Sequence, residues 1–195
     1  MSTIINADTS GGLKLTSDTS GEIKLQSAGA DIATVNSSGI AMASGKTLIN
    51  NAPVFRAQLI SSQTISANTS TKVAFNNAVY DTNSNYNTST YRFTPTVAGY
   101  YNVGAKCRMA SAGGNTTLQQ LYLYKNGSLH NTMMLLDTTL TTYNELHGAD
   151  IIYLNGTTDY IELYAYIGNS GGTPTIVGGG GGNTSFWYAY LIQQA

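Results

Sequence analysis

Hydrophobic and polar residues alternate along this chain with a period of two. In the stretch Tyr91–Met109, YRFTPTVAGYYNVGAKCRM, residues Tyr101, Val103, Ala105, Cys107 and Met109 fall on one side, and Tyr100, Asn102, Gly104, Lys106 and Arg108 on the other. A helix would need apolar residues three and four apart, so this is a half-buried strand. Pro95 removes a ladder donor and Gly99 permits a turn, so the strand starts after them. The same pattern predicts eight to ten short strands from Pro53 onward: Val54–Ile60, Lys72–Phe75, Ala78–Tyr80, Tyr91–Phe93, Tyr100–Met109, Leu118–Tyr124, Ser128–Leu135, Glu145–Leu154, Asp159–Ile167 and Phe186–Gln193. Asn126-Gly127 and Asn155-Gly156 each read as the turn of a hairpin. No segment has a convincing helical period. The fold class is therefore all-β, an antiparallel sandwich or jelly roll over 53–195.

Residues 1–52 read differently. ADTSGGLKLTS (7–17) is echoed by SDTSGEIKLQS (17–27), and the cadence continues through Gly39 and Ile40. Each unit is a glycine-containing turn followed by a short strand, with Leu13 and Leu15, Ile23 and Leu25, Ile32, then Ile40 and Met42 as its apolar positions. One such strand cannot bury its apolar face alone, and three copies wound together can. This segment is expected to be a β-repeat shaft or docking arm that intertwines with sister copies or docks to another protein.

The late strands change the picture again, because their second face is aromatic. Tyr122 and Tyr124 stand opposite Leu121 and Leu123; Tyr160, Tyr164 and Tyr166 stand opposite Ile161, Leu163, Ala165 and Ile167; Tyr188 and Tyr190 stand opposite Trp187, Ala189 and Leu191. A two-sheet sandwich should show water a polar face. These seven tyrosines are therefore expected to form an interface covered by sister copies in a homo-oligomer, where a ring is buried and its hydroxyl still finds a partner.

Composition narrows the function. Of 195 residues only 10% are charged, and the net charge is -1, against roughly 25% charged in an average domain. Nothing basic clusters, so nucleic acid is not an expected partner. No apolar run approaches the roughly 20 residues that span a bilayer. The start, MSTIINADTS, lacks the basic and apolar regions of a signal peptide. The lone Cys107 lies on the inward face of its strand and reads as a buried, inert thiol.

Catalytic sets are missing from the pattern. His130 and His147 keep no fixed spacing to Cys107, although either could meet Asp137, Glu145 or Asp150. Gly39 and Gly45-Lys46-Thr47 imitate a phosphate loop but stand five residues apart where four are needed. Acidic residues are too few and scattered for a metal, and no cofactor is expected. The glycine-rich stretch 168–183 is the remaining candidate: a flexible tip, with Gly168, Asn169, Thr173, Thr175 and Asn183 able to contact a glycan or a neighbouring protein.

The run AFNNAVYDTNSNYNTSTYRFTPTVAGYYNV (74–103) resembles the signature of the complement one-q globular head, the trimeric jelly roll related to tumour necrosis factor. Phe75, Tyr86-Asn87, Phe93, Pro95, Gly99, Tyr100 and Tyr101 fill its places. SFWYAYLIQ (185–193) is similar to that family's last strand, and PVFRAQL (53–59) to its start. Tyr91 departs from the pattern, since glycine is usual there. The collagen stalk of the animal proteins is absent, and the repeat that replaces it resembles segments of bacteriophage fibre and virion-surface proteins. The resemblance implies a homotrimeric phage structural protein on the virion surface, assembled in the host cytoplasm. A tail fibre or spike that adheres to the host is the first reading and a capsid decoration protein the alternative. A stand-alone lectin-like module and a glycan depolymerase follow behind, the latter because paired carboxylates are lacking.

Overall fold

The computed structural model describes residues 21–47, 52–110, 116–140, 142–179 and 184–195. All regular structure among them is β. Two compact units divide the chain, Met1–Asn50 and Asn51–Ala195.

In the first unit, β1 (Ile23–Ser27), β2 (Ala30–Asn36) and β3 (Gly39–Met42) form an antiparallel meander in the order β1-β2-β3. Ala28 and Gly29, at φ 51° and 77°, make the two-residue turn whose twist suits a hairpin. Ala33 is buried, while Leu25 and Ile40 stay exposed. The sheet thus leaves these apolar side chains uncovered by the described residues of the unit. The expected strand at Leu13 and Leu15 lies outside the described residues. Gly45-Lys46-Thr47 follows β3 in a turn closed by Lys46 N–H donating to the Ala43 carbonyl.

The second unit is a sandwich. Its first sheet joins β4 (Val54–Gln58), β7 (Asn77–Asp81), β10 (Gly99–Ala110), β13 (Tyr143–Leu154) and β16 (Phe186–Gln194) in the order β13-β10-β16-β4-β7, with the short β5 (Gln63–Thr64) and β15 (Thr175–Ile176) extending from β10. Its second sheet runs β12-β11-β14-β9-β8, made of β12 (Ser128–Leu140), β11 (Thr116–Lys125), β14 (Ile161–Asn169), β9 (Arg92–Phe93) and β8 (Tyr86–Asn87), with β6 (Thr71–Lys72) also on β14.

β10 lies centrally in the first sheet, and its alternation decides what fills the core. Tyr101, Val103, Ala105, Cys107 and Met109 are all buried. Across from them an aromatic cluster fills the space: the Phe55 ring stacks on Phe93 at 4.4 Å and meets Trp187 edge-on at 4.9 Å. Tyr101 places its hydroxyl on the Val97 carbonyl at 2.7 Å, and burial pushes its pKa up to about 12. Burial likewise raises the Cys107 thiol far above its ordinary value, as an inert cysteine requires.

The two Asn-Gly turns differ. Asn126-Gly127 joins β11 to β12 with Lys125 opposite Ser128, a true hairpin. Asn155-Gly156 does not: β13 pairs β10 in the first sheet and β14 pairs β11 in the second. Here the chain crosses between sheets. The Asn155 Oδ1 accepts from the backbone N–H groups of Thr157, Thr158 and Asp159, and Gly156 sits so near Ala98 that a Cβ would meet its backbone nitrogen at 2.4 Å.

Candidate functional site

The seven tyrosines expected on one face are divided between two. Tyr122, Tyr124, Tyr164 and Tyr166 lie on the outer face of the second sheet, where Tyr122 is opposite Tyr164 and Gln120 opposite Tyr166. Tyr160 stands just before β14, beside them. Tyr188 and Tyr190 lie on the outer face of the first sheet. Period two tells which side chains share a strand face; it does not tell which sheet the strand joins.

The second sheet covers its own rings. Tyr124 and Tyr164 stack at 4.0 Å, and Tyr122 meets Tyr124 edge-on at 6.5 Å. The Arg92 guanidinium lies 4.0 Å over the Tyr160 ring and the Lys72 ammonium 6.0 Å from the Tyr164 ring. Both cations hold Glu162, Lys72 Nζ at 2.5 Å and Arg92 Nε at 2.8 Å, with the Glu162 side chain only 1% exposed. A carboxylate so deep in the structure needs both partners. The Tyr122 hydroxyl bonds to Gln120. These tyrosines are half-buried by one another and by charge. We call this the closed face.

The first sheet's outer face is open. Tyr100 and Tyr153 stand opposite each other with rings 5.6 Å apart, and Asn102 is flanked by Ile151 and Tyr190. Tyr100 is 47% exposed, Ile151 59% and Tyr190 44%. Tyr80 continues the patch across β4, opposite Arg56. Gly104 makes room for the Tyr188 ring, since a Cβ there would meet Tyr188 Cζ at 2.3 Å. Beside it a hollow of about 410 Å³ lies between Lys106, His147, Ala149, Phe186 and Tyr188. The far end is charged: Lys106 pairs with Glu145 at 2.9 Å, Arg108 covers the Tyr143 ring at 4.0 Å and Arg56 the Phe186 ring at 4.4 Å. A monomer seldom shows so many large apolar side chains to water on one sheet face.

A third surface was not foreseen. β12 is the edge strand of the second sheet and is exposed along most of its length, with Leu129, Met134 and Leu135 facing solvent. A long apolar edge of this kind invites a protein partner.

The expected tip loop is largely tied down. Gly168 and Asn169 end β14 and are buried. Asn169 N–H donates to Asn68 Oδ1 while Asn68 Nδ2 donates to the Asn169 carbonyl, so the composition that reads as a loop continues a strand. Thr175 belongs to β15, paired with Thr64 and Ala110. Gly178 lies against the Ser61 carbonyl, where a Cβ would come within 2.4 Å. Thr173 alone of the five is exposed among the described residues, and Asn183 lies outside them.

His130 and His147 each come within 3.8 Å of a carboxylate, Asp150 and Glu145 respectively, on exposed surface. Among the described residues no group of three His, Cys, Asp or Glu side chains could hold a metal ion.

No sequence-family profile and no curated protein matches the chain. Solved structures do. Murine APRIL, solved at pH 8.5, aligns with a TM-score of 0.50 at 13% identity, over 72% of this chain and 99% of its own. The globular domain of zebrafish complement 1qA protein aligns at 0.49 and 15% identity, over 74% and 99%. Eiger TNF from S. frugiperda aligns at 0.48 and 12%, over 74% and 93%. The second unit is a jelly roll of the complement one-q and tumour necrosis factor type.

Proposed function

We propose that this chain is a homotrimeric bacteriophage virion protein of the tail-fibre or spike type. Its jelly-roll heads associate through the open face, and residues 1–52 dock to sister copies and to other particle proteins. The observation that carries the assembly is the band Tyr80–Tyr190–Ile151–Tyr153–Tyr100, left wet in a single head. Covering it is worth roughly 1.5–3 kcal/mol per large apolar side chain, before the cost of association.

The kind of contact also follows from the surface. Each head carries two different apolar patches, the open face and the β12 edge with Leu129, Met134 and Leu135. Two unlike patches favour head-to-tail pairing, which gives a ring when the rotation from copy to copy closes. The number three comes from the resemblance to the trimeric heads. The particle context comes from the repeat at the amino end, whose β1–β3 meander leaves Leu25 and Ile40 uncovered.

Sedimentation of the purified chain should give a mass three times that of the 20.6 kDa protomer. Immunogold labelling of purified virions should then place it on the tail. Labelling of the head would move it to the capsid decoration role, and unlabelled particles would end the virion reading.

A further inference from the structure

At one end of the sandwich, the segment between β7 and β10 encloses a hollow of about 570 Å³ that none of the surfaces above includes. Its size falls in the range of about 300–1,000 Å³ usual for small-ligand sites. Ser84, Asn85, Asn87, Thr88, Ser89 and Thr94 supply most of its wall. Every one is uncharged, and each offers a hydroxyl or an amide.

The wall is built in advance. Asn85 is buried, donates through Nδ2 to the Asn83 carbonyl, and accepts at Oδ1 from Thr96 N–H; its own carbonyl accepts from Thr94 N–H. Asn87 Oδ1 accepts from Ser89 and Thr90 N–H, fixing the turn between β8 and β9. Tyr86 N–H donates to Asp81 Oδ2 at 2.7 Å, and the Tyr86 hydroxyl donates to the Phe75 carbonyl. Ser84 and Tyr91 hold left-handed backbone at φ 54° and 59°, and strain of that kind collects where a surface is shaped for a task. By contrast, the hydroxyls of Ser84, Thr88, Ser89 and Thr94 make no side-chain hydrogen bond among the described residues. The amides hold the frame and the hydroxyls are left for a ligand.

We infer that this hollow binds a neutral saccharide. Hydroxyls and amides donate and accept at the same spot, which matches a ligand whose own groups do both. An ionic ligand would need a countercharge, and an apolar peptide side chain would need an apolar pocket; the wall provides neither. A preformed frame also spares the ligand the entropy of ordering a loop. This inference rests on the fibre or spike reading and moves the glycan contact expected of the glycine-rich stretch to residues 84–96.

Saturation-transfer NMR on the full chain tests it, with maltose, cellobiose and lactose as neutral probes and sialyllactose as the charged one. Transfer is expected to at least one neutral disaccharide, with sialyllactose no better than lactose. The double substitution Thr88→Val with Ser89→Ala should weaken that binding about tenfold, and Thr94→Val should weaken it independently. Both leave the framing amides intact, and the sedimentation mass should not move. No transfer from any neutral probe, undiminished transfer with both variants, or a clear preference for the charged sugar would overturn the assignment. Particles that label with antibody while the hollow stays silent would remove this site and leave the virion reading standing.

Discussion

The two outer faces of the head are both rich in tyrosine, yet they solve the problem of an exposed ring in opposite ways. On the closed face the rings stack on each other, and Lys72, Arg92 and Glu162 bind them into one network. On the open face Lys106, Arg108 and Arg56 gather at one end; at the other, Tyr100, Tyr153, Tyr190 and Ile151 stay exposed although the Tyr100 and Tyr153 rings meet and Lys125 lies 5.8 Å from the Tyr153 ring. Counting tyrosines cannot separate the two. What separates them is how much of each ring the same chain leaves to water: the closed-face tyrosines are half-buried, whereas Tyr100, Tyr153 and Tyr190 are exposed. In the proposed assembly, the closed face contributes to the stability of one head and the open face is covered by another.

The largest expected effect breaks that comparison directly. Ile151→Asp with Tyr190→Asp puts charge in the middle of the open face, and a carboxylate buried without a countercharge against the apolar β12 edge of the next copy costs several kcal/mol. Sedimentation should show protomers in place of trimers, with the far-ultraviolet circular dichroism spectrum of the sandwich retained. Tyr124→Asp on the closed face should leave the mass unchanged and lower the thermal midpoint. The reverse pattern would mean the roles of the faces have been exchanged. A smaller effect is expected at the partner patch: Leu135→Lys on β12 should weaken assembly about tenfold, read as a shift of the dissociation midpoint on dilution.

The closed face is tested by stability rather than mass. Lys72→Met removes one of the two cations on Glu162. Breaking a buried pair costs about 3–5 kcal/mol, but Arg92 remains and both cations are partly exposed, so about 1–3 kcal/mol is expected. The midpoint of urea unfolding, compared at equal protein concentration, should fall while the sedimentation mass holds. Alkali gives a further reading. Burial raises the hydroxyls of Tyr122 and Tyr164 above the ordinary value, and that of Tyr101 to about 12. A pKa raised on folding stabilises the folded state fully below pH 10, the ordinary tyrosine value, and that gain is lost as pH climbs toward the folded values. Stability should therefore be flat below pH 10 and fall from about pH 10 to 12. A fall that begins well below pH 10 would contradict the burial of these rings.

Much of the fold was legible because period two is a strong signal where one side of a strand is buried. The inward set of β10 and the Asn126-Gly127 hairpin followed from sequence alone. Asn155-Gly156 misled, since its glycine has nearly the same backbone as Gly127, at φ 71° against 80°. The difference lies in the asparagine: Asn126 reaches across to Tyr160 N–H and Asp159, whereas Asn155 caps its own turn. Such a choice depends on neighbours far along the chain. The same holds for Asn169, whose partner Asn68 is 101 residues away. Tyr100, Tyr153 and Ile151 escaped notice for another reason. They alternate with ordinary polar residues, and only the pairing of β10 with both β13 and β16 collects them into a patch.

The smallest expected effect concerns Tyr91, the position where the resembling heads carry glycine. Its φ of 59° explains the preference: a side chain in left-handed backbone costs about 1–2 kcal/mol, and glycine avoids that cost. The turn itself is held by Tyr91 N–H donating to the Asn87 carbonyl at 2.7 Å, a bond that glycine would keep. Against the relief stands the greater freedom of glycine in the unfolded chain, about 0.4–1 kcal/mol, so Tyr91→Gly should gain only a few tenths to about 1 kcal/mol. Arg92 is the next residue, and it lies over Tyr160 on the closed face. A gain in the thermal midpoint with an unchanged trimer would show that this corner acts on the stability of one head. A loss of trimer would tie the turn to assembly and erase the distinction between the two faces.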